Sequence, residues 1–499
     1  MKSLKDTVLR SLRMSPLLCL VACASIDVPP APAVVPAEAT RAKFEYAIED
    51  TIPVTPTWWR QFDDQLMVSL VEKALAENRT LEAARANLGQ ADATLKRARL
   101  AKSYETGSIG DLALEKNSVS TAFDLNASGA LSASWEIDVF GRVEALISSA
   151  EFSREAALES KRDIAVLIAS QTAQAYVDLR GAQQRLEVAE ESAELQDESL
   201  DLLRELADAG RSNDLDFNRA ESLFLTTKAS LPTFRASVET ARTRLAALTG
   251  VPVGDLALDA PLLMETRPIP RHSGALSSGT PAELLRRRPD IREAEARISE
   301  QLALGEIERS RLFPVISFDA SLNNILGTVG NVTDFDSFGF GIGPSLSWEG
   351  PDLRRVRADI EIADLETRES FALYEQTVLD ALAEVESSLA SYRRELERRD
   401  DLMGASEAAA NALRLARLRF QEGIDDFLDV LDAQRTLLDT RDDIVQNDIA
   451  ITTFAISAYR AFGGMWSDEE LQNTRFPEAS TAQASQNSNA GTSLESQPS

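Results

Sequence analysis

The chain spells one long pattern twice, and this duplication limits its fold more than any other feature. ALAENRTLEAARANL (74–88) lies over LLRRRPDIREAEARI (284–298) at an offset of 210, matching Leu75 to Leu285 and Leu81 to Ile291. From Trp135, in ASWEIDVFGRV, the offset becomes 213 and pairs Trp135 with Trp348, Val143 with Val356, Gly210 with Gly423, Leu215 with Leu428 and Gly250 with Gly463. The halves therefore differ by three residues, placed between Leu88 and Trp135. Repetition of this kind marks two copies of one supersecondary unit.

Each copy carries the same order of patterns: a helix, two strands, a very long helix, a glycine turn and a returning helix. In the strands, Phe340, Ile342, Leu346 and Trp348 alternate with Gly339, Gly341, Gly343 and Ser345, and Leu125, Ala127, Leu131 and Trp135 alternate with Asn126, Ser128 and Ser132. One face is apolar and the other small and polar. The first strand, near ETGSIGDLALEK, lacks this alternation and carries Glu105, Asp111 and Glu115. The period changes from two to nearly four after each tryptophan, which predicts strand–helix junctions at Trp135, Gly141 and Trp348.

Beyond the junctions, residues 142–209 contain Gly181 and residues 352–422 contain Gly404 as their single breakers. Either run would reach roughly 100 Å as a helix. Val378, Leu382, Val385, Leu389, Tyr392 and Leu396 follow alternating spacings of four and three, a coiled-coil seam. The expected partner is the returning helix, where Val445, Ile449, Thr452, Ile456 and Tyr459 repeat the spacing. Pro232 predicts a kink or local break in the corresponding first-half helix. Gly210 and Gly423 are placed to reverse the chain between antiparallel helices.

The predicted fold is mainly α with a small β part, built from duplicated long helical hairpins and four strands per chain. The expected divisions are 1–22 as a signal peptide, 23–57 as a Pro/Ala-rich tether, 58–250 as the first repeat, 251–280 as a connector, 281–464 as the second repeat, and 465–499 as a low-complexity tail. Aromatic content of 6% agrees with long helices. A formal charge of −28 without a basic stripe excludes nucleic acid as a partner.

The N-terminus places Lys2, Lys5, Arg10 and Arg13 before a short apolar core at 17–22, the layout of an export signal. Leu20-Val21-Ala22-Cys23 is similar to the lipobox of bacterial lipoproteins, which makes Cys23 the expected lipid attachment point; the rival Cys19 follows the larger Leu18. An ordinary secretory signal is the alternative. After cleavage one cysteine remains, so no intrachain disulfide can form. The resemblance to sorted lipoproteins also makes Ala24, next to the lipidated residue, fit retention in the outer membrane.

Strands that are apolar on one face and polar on the other look like pieces of a membrane barrel. Four cannot close, because the smallest such barrels need about eight strands and lipid does not tolerate open edges. Several chains must then share one barrel; the alternative is a small soluble sheet beside the coiled coil. The long helices cannot cross a membrane, since Glu384, Glu386, Arg393 and Arg394 interrupt them. An enzyme is not expected. The sole histidine, His272, lies in a Pro- and Ser-rich connector without nucleophile or metal-ligand spacing, so no cofactor or metal is expected beyond the covalent lipid on Cys23.

TWWRQFDDQLMVSLVEKAL, SWEIDVFGRVEA, LLRRRPDIREAEARI and RFQEGIDDFLDVLDAQRTLL stand in one order inside the duplication. On these pieces, from about Trp58 to Gly464, the chain resembles the TolC-like outer membrane factors, and more closely their NodT-like lipoprotein branch, the channels of resistance-nodulation-division efflux systems. The resemblance implies a homotrimer in the outer membrane with twelve strands in one barrel. It further implies a tapered tube of twelve helices in the periplasm that docks on a periplasmic adaptor and an inner membrane pump. The family's proline before the first strand is replaced here by Tyr104, whereas Pro314 precedes the second.

The same resemblance places Asp429 and Asp432 at the family's LDVLDA motif, whose aspartates line a periplasmic constriction, with Asp425, Asp426 and Phe420 close by. In a trimer each aspartate becomes a ring of carboxylates that repel unless hydrated or paired with cations. The bland alternative is a solvated acidic face at a helix start, favoured by the dipole. It gains from the first half, where Asp216 and Arg219 stand at the matching positions. The surface around Gly210, Leu215, Gly423 and Leu428 is implied as the adaptor docking site, with a plain structural turn as the alternative. The expected function is a passive efflux conduit for small molecules. Type I protein secretion and metal export stay open, as does a coiled-coil envelope lipoprotein without a pore.

Overall fold

The computed structural model describes residues 57–115, 124–208, 214–255, 261–272, 276, 287–326 and 338–464. The first repeat runs α1 (Gln65–Glu77), α2 (Arg79–Leu100), β1 (Glu105–Glu115), β2 (Asp124–Ile137), α3 (Arg142–Asp208) and α4 (Asp214–Leu248). The second runs α5 (Pro289–Ser310), β3 (Val315–Leu326), β4 (Phe338–Ser347), α6 (Arg354–Gln421) and α7 (Phe427–Ala461). The order expected from the duplication is therefore present.

Among the described residues two compact units form, one from Ala84–Lys161 with Asp290–Val378, the other from the described parts of Pro36–Ala83, Arg162–Pro289 and Leu379–Ser499. They cut across the repeats, so each unit contains a piece of both.

In the first unit the strands make one antiparallel sheet in the order β1-β2-β3-β4. Trp135 lies opposite Phe318, Leu131 opposite Leu322, and Leu322 opposite Phe340, which puts these side chains on one face. The other face carries Ser132, Ser134, Asp319, Ser321, Ser345 and Gly341 through the same register. The register also settles β1. Glu105 pairs with Ser134 and Asp111 with Ser128, so its acidic residues join the polar face and only Ile109, opposite Ala130, departs from the pattern. Sequence alternation missed this because Thr106, Ser108 and Gly110 occupy the apolar side.

In the second unit, α7 is held by two helices. Asn447 Nδ2 donates to the Glu395 carbonyl at 3.1 Å and Arg399 Nε to Asp448 Oδ1 at 2.7 Å, on α6. On α3, Ser199 Oγ accepts from Gln434 Nε2 at 2.9 Å and Arg185 Nε reaches Asp442 Oδ1 at 2.6 Å. The expected seam is thus partly redirected. Val378, Val385, Leu389 and Tyr392 are buried, but Leu396 is exposed, and Ile449 faces Gly181 of α3. A Cβ at Gly181 would lie 2.3 Å from Ile449 Cδ1, so this glycine allows a close helix approach.

Of the kink or local break expected at Pro232, the break does not occur, for α4 is continuous through it. Proline removes the donor for the Lys228 carbonyl, but both residues are exposed and water can replace that bond.

Candidate functional site: an open sheet and an acidic helical turn

The sheet leaves its apolar face uncovered within the chain: Phe340 is 85% exposed and Ile342 70%. The outer edges of β1 and β4 also lack a strand partner among the described residues. Unpaired edge groups and bare apolar area together are unstable in water and in lipid unless other strands or a membrane cover them.

Both predicted junctions are built alike. Trp135 Nε1 donates to the Lys102 carbonyl at 3.2 Å, and Trp348 Nε1 to the Leu312 carbonyl at 3.2 Å. Each bond ties the end of one strand to the turn before its neighbour in the hairpin. Between β2 and α3, Gly141 adopts φ 77° and its carbonyl accepts from Ala145 N at 2.9 Å to start the helix. Asp138 Oδ2 accepts from Glu144 N at 2.9 Å, and Arg142 Nε donates to Glu136 Oε1 at 2.8 Å. Phe140 stacks on Phe313 with centroids 4.8 Å apart.

The helical turn between α6 and α7 closes through Gly423 at φ 71°. Gly423 N donates to the Phe420 carbonyl at 2.9 Å and Ile424 N to the Arg419 carbonyl at 2.9 Å, the paired bonds of a Schellman ending. Beneath it Leu200, Leu203, Leu413, Phe427 and Val430 bury against one another, joining α3, α6 and α7. Phe420 packs edge-on to Phe427 at 5.0 Å and so supports the turn from inside.

The acidic residues of this turn separate into two kinds. Asp425 accepts from Arg419, with Nη2 to Oδ1 at 2.7 Å, and this guanidinium holds its carboxyl below the usual carboxylate range. Asp426 caps α7 through its backbone without a side-chain bond to it. Asp429 and Asp432 are exposed one helical turn apart on the solvent side of α7, opposite buried Val430 and Leu431. In the first half, Arg219 Nη1 stands 3.9 Å from Asp216 Oδ1, so the matching pair carries its own counter-ion. Sequence reading missed Arg419. Its six-residue separation from Asp425 spans the turn, and only the turn's geometry brings them together.

Leu215 and Leu428, repeat equivalents, are both exposed near the starts of α4 and α7. Cys23 and Gly210 lie outside the described residues. Among the described residues no group of His, Cys, Asp or Glu could hold a metal ion, and no helix is long and apolar enough to cross a membrane.

A family model described as outer membrane efflux protein matches residues 70–251 and 280–464. Nodulation protein T of Rhizobium leguminosarum bv. trifolii is 28% identical over 389 residues, covering 76% of this chain and 81% of its own length. The solvent efflux pump outer membrane protein SrpC of Pseudomonas putida is 28% identical over 420 residues, covering 81% and 87% respectively. The solved structure of the outer-membrane channel OprN superposes with a TM-score of 0.77 at 33% identity, covering 86% of this chain and 97% of that one.

Proposed function

Because the chain belongs to the outer membrane efflux protein family, we propose that three copies pool their sheets into one twelve-stranded barrel and form a passive conduit through the outer membrane. The family comprises outer membrane channels rather than enzymes. The observation that carries the reading is the four-stranded sheet with a bare apolar face and two open edges. Three such sheets supply enough strands to close, with the apolar face toward lipid and the serine- and glycine-lined face toward water.

In this reading a periplasmic adaptor and an inner membrane pump of the resistance-nodulation-division type feed the conduit, and a lipid on Cys23 anchors each copy. The name of the relative SrpC supports small organic molecules as cargo over proteins or metal ions. Asp429 and Asp432 form the acidic constriction at the periplasmic end, and the surface carrying Leu215, Gly423 and Leu428 receives the adaptor. Gly210 belongs to that surface by its place in the repeat.

Two measurements on the detergent-solubilised protein test the conduit: particle mass and single-channel recording in a planar bilayer. A mass of three chains with stepwise conductance is expected. A lone chain, or a trimer without conductance, would leave a pore-free coiled-coil lipoprotein of the envelope as the better account.

A further inference from the structure

The wall formed by α2 and α3 carries a cavity of about 280 Å³, small for a drug-sized molecule and ample for a metabolite. Asn87, Gln90 and Thr94 line it from α2, Ser153 and Ser160 from α3, and Arg297 from α5. All six belong to the first compact unit. The two amides and three hydroxyls make no side-chain hydrogen bond to the described residues. Arg297 places Nε and Nη2 on Glu293 Oε1 at 3.0 and 2.5 Å, and its Nη1 has no partner among the described residues. Arg97, one turn beyond Thr94 on α2, makes no ion pair with them either. The cavity thus offers neutral donors and acceptors beside two guanidinium groups.

The phase of α3 fixes which way the cavity opens. Arg142, at the start of this helix, donates Nε to Glu136 Oε1 at 2.8 Å, and Glu136 lies opposite Ser317 on the polar face of the sheet. Counting 3.6 residues per turn from Arg142 brings round Ser149, Ser153, Ala156 and Ser160, so these stand on the same side of α3. The opposite side carries Glu144 and Glu151, which pair with Lys102 Nζ at 2.5 Å and Arg99 Nη2 at 2.8 Å. The Lys102 carbonyl also receives the Trp135 indole from the apolar face. The cavity therefore opens on the polar side of the sheet, the inside of the conduit proposed above.

The second repeat replaces the residues that make this hollow. At the repeat offsets Gln90, Thr94, Ser153, Ala156 and Ser160 become Glu300, Leu304, Glu366, Glu369 and Leu373. Leucines take up the space, and carboxylates repel an anion. The duplicated unit folds without the small neutral set, so packing alone does not call for it in the first repeat.

We infer that this cavity is a transit site for small hydroxylated carboxylates moving through the conduit. The inference rests on the conduit reading and adds where cargo pauses and what chemistry it carries. Arg297 Nη1 and Arg97 receive the carboxylate, and the ligand's hydroxyls exchange hydrogen bonds with Asn87, Gln90, Ser153 and Ser160. A chain of formal charge −28 repels anions in general, so a neutral stretch with local cations lowers the barrier to their passage. At an open wall the binding stays weak enough for release, as conduction demands.

Single-channel recording of the full chain in a planar bilayer tests this, with sodium gluconate as the probe and sorbitol as its uncharged control. Gluconate should produce brief partial closures of the parent channel, and sorbitol at equal concentration should not. Arg297→Gln should raise the gluconate concentration for half-maximal closure about tenfold, the loss of one charged hydrogen bond. Ser153→Glu with Ser160→Leu, the residues that the second repeat carries at these places, should abolish the closures while the channel still opens. Closures that are absent from the parent, unchanged in either variant or equal with sorbitol would overturn the site and leave the conduit standing. A parent without conductance would overturn both.

Discussion

Trp135 and Trp348 make the same hydrogen bond 213 residues apart, each to a carbonyl that is itself displaced by 210, Lys102 in one repeat and Leu312 in the other. The three-residue difference between the halves therefore falls between these carbonyls and their tryptophans, within the strand hairpins. Replacing either indole by Phe removes a single donor at a half-exposed site, which costs about 0.5–1 kcal/mol. Trp135→Phe and Trp348→Phe should lower the unfolding midpoint equally. Clearly unequal shifts in parallel melts would mean that the two junctions are not equivalent.

The glycine endings separate strain from collision. At Gly423, φ is 71° and an added Cβ meets nothing within 4 Å, so Gly423→Ala pays only for the left-handed backbone, about 1–2 kcal/mol. At Gly463, φ is 81° and the added Cβ would lie 3.0 Å from Arg288 Cα. Gly463→Ala should therefore destabilise more than Gly423→Ala in chemical denaturation, and the reverse order would contradict the packing at Arg288.

Glu384 is shared by two arginines, with Arg288 Nη1 at 2.8 Å from Oε2 and Arg460 Nε at 3.1 Å from Oε1. Burial pushes this carboxyl up, but the hydrogen bonds and charges of Arg288 and Arg460 outweigh burial and leave it below the ordinary value. A depressed carboxyl stabilises above its unfolded value, about 4.3, and that contribution is lost as pH falls through the lower folded value. Glu384→Gln should thus be destabilising by about 1–3 kcal/mol at neutral pH. The gap from the parent should close below about pH 4. A gap that persists in acid melts would assign the effect to packing instead.

Gly181 and Ile449 form a close-packed pair whose cost is separable. Gly181→Ala forces the added methyl into Ile449 and should destabilise by about 1–3 kcal/mol. In the background of Ile449→Ala the same change should be neutral or favourable, giving a coupling energy in a double-mutant cycle. Additive losses would place the strain elsewhere.

The acidic turn is tested by divalent cations. Asp429→Ala with Asp432→Ala should reduce the block of conductance by added calcium in planar bilayers. Asp216→Ala should leave the block unchanged, because Arg219 already neutralises that position. Equal block in parent and double variant would remove Asp429 and Asp432 from the constriction.

What the sequence determined by itself was local and periodic: the doubled order of elements, the change of period at each tryptophan, the apolar face of β2 and β4, and the chain reversal at Gly423. These follow from side-chain alternation and backbone permissiveness, which neighbouring residues express directly. The tertiary structure alone decided the pairings of residues far apart. Only the register of β1 on β2 assigns Glu105 and Asp111 to the polar face, because their own strand does not alternate. Only packing shows α7 wedged between α3 and α6, since one heptad pattern cannot say how many helices it faces. Arg419 beside Asp425, and the Lys102 and Leu312 carbonyls beneath the tryptophans, are backbone or cross-turn partners. A carbonyl is present at every residue, so no sequence signal marks the one that is used.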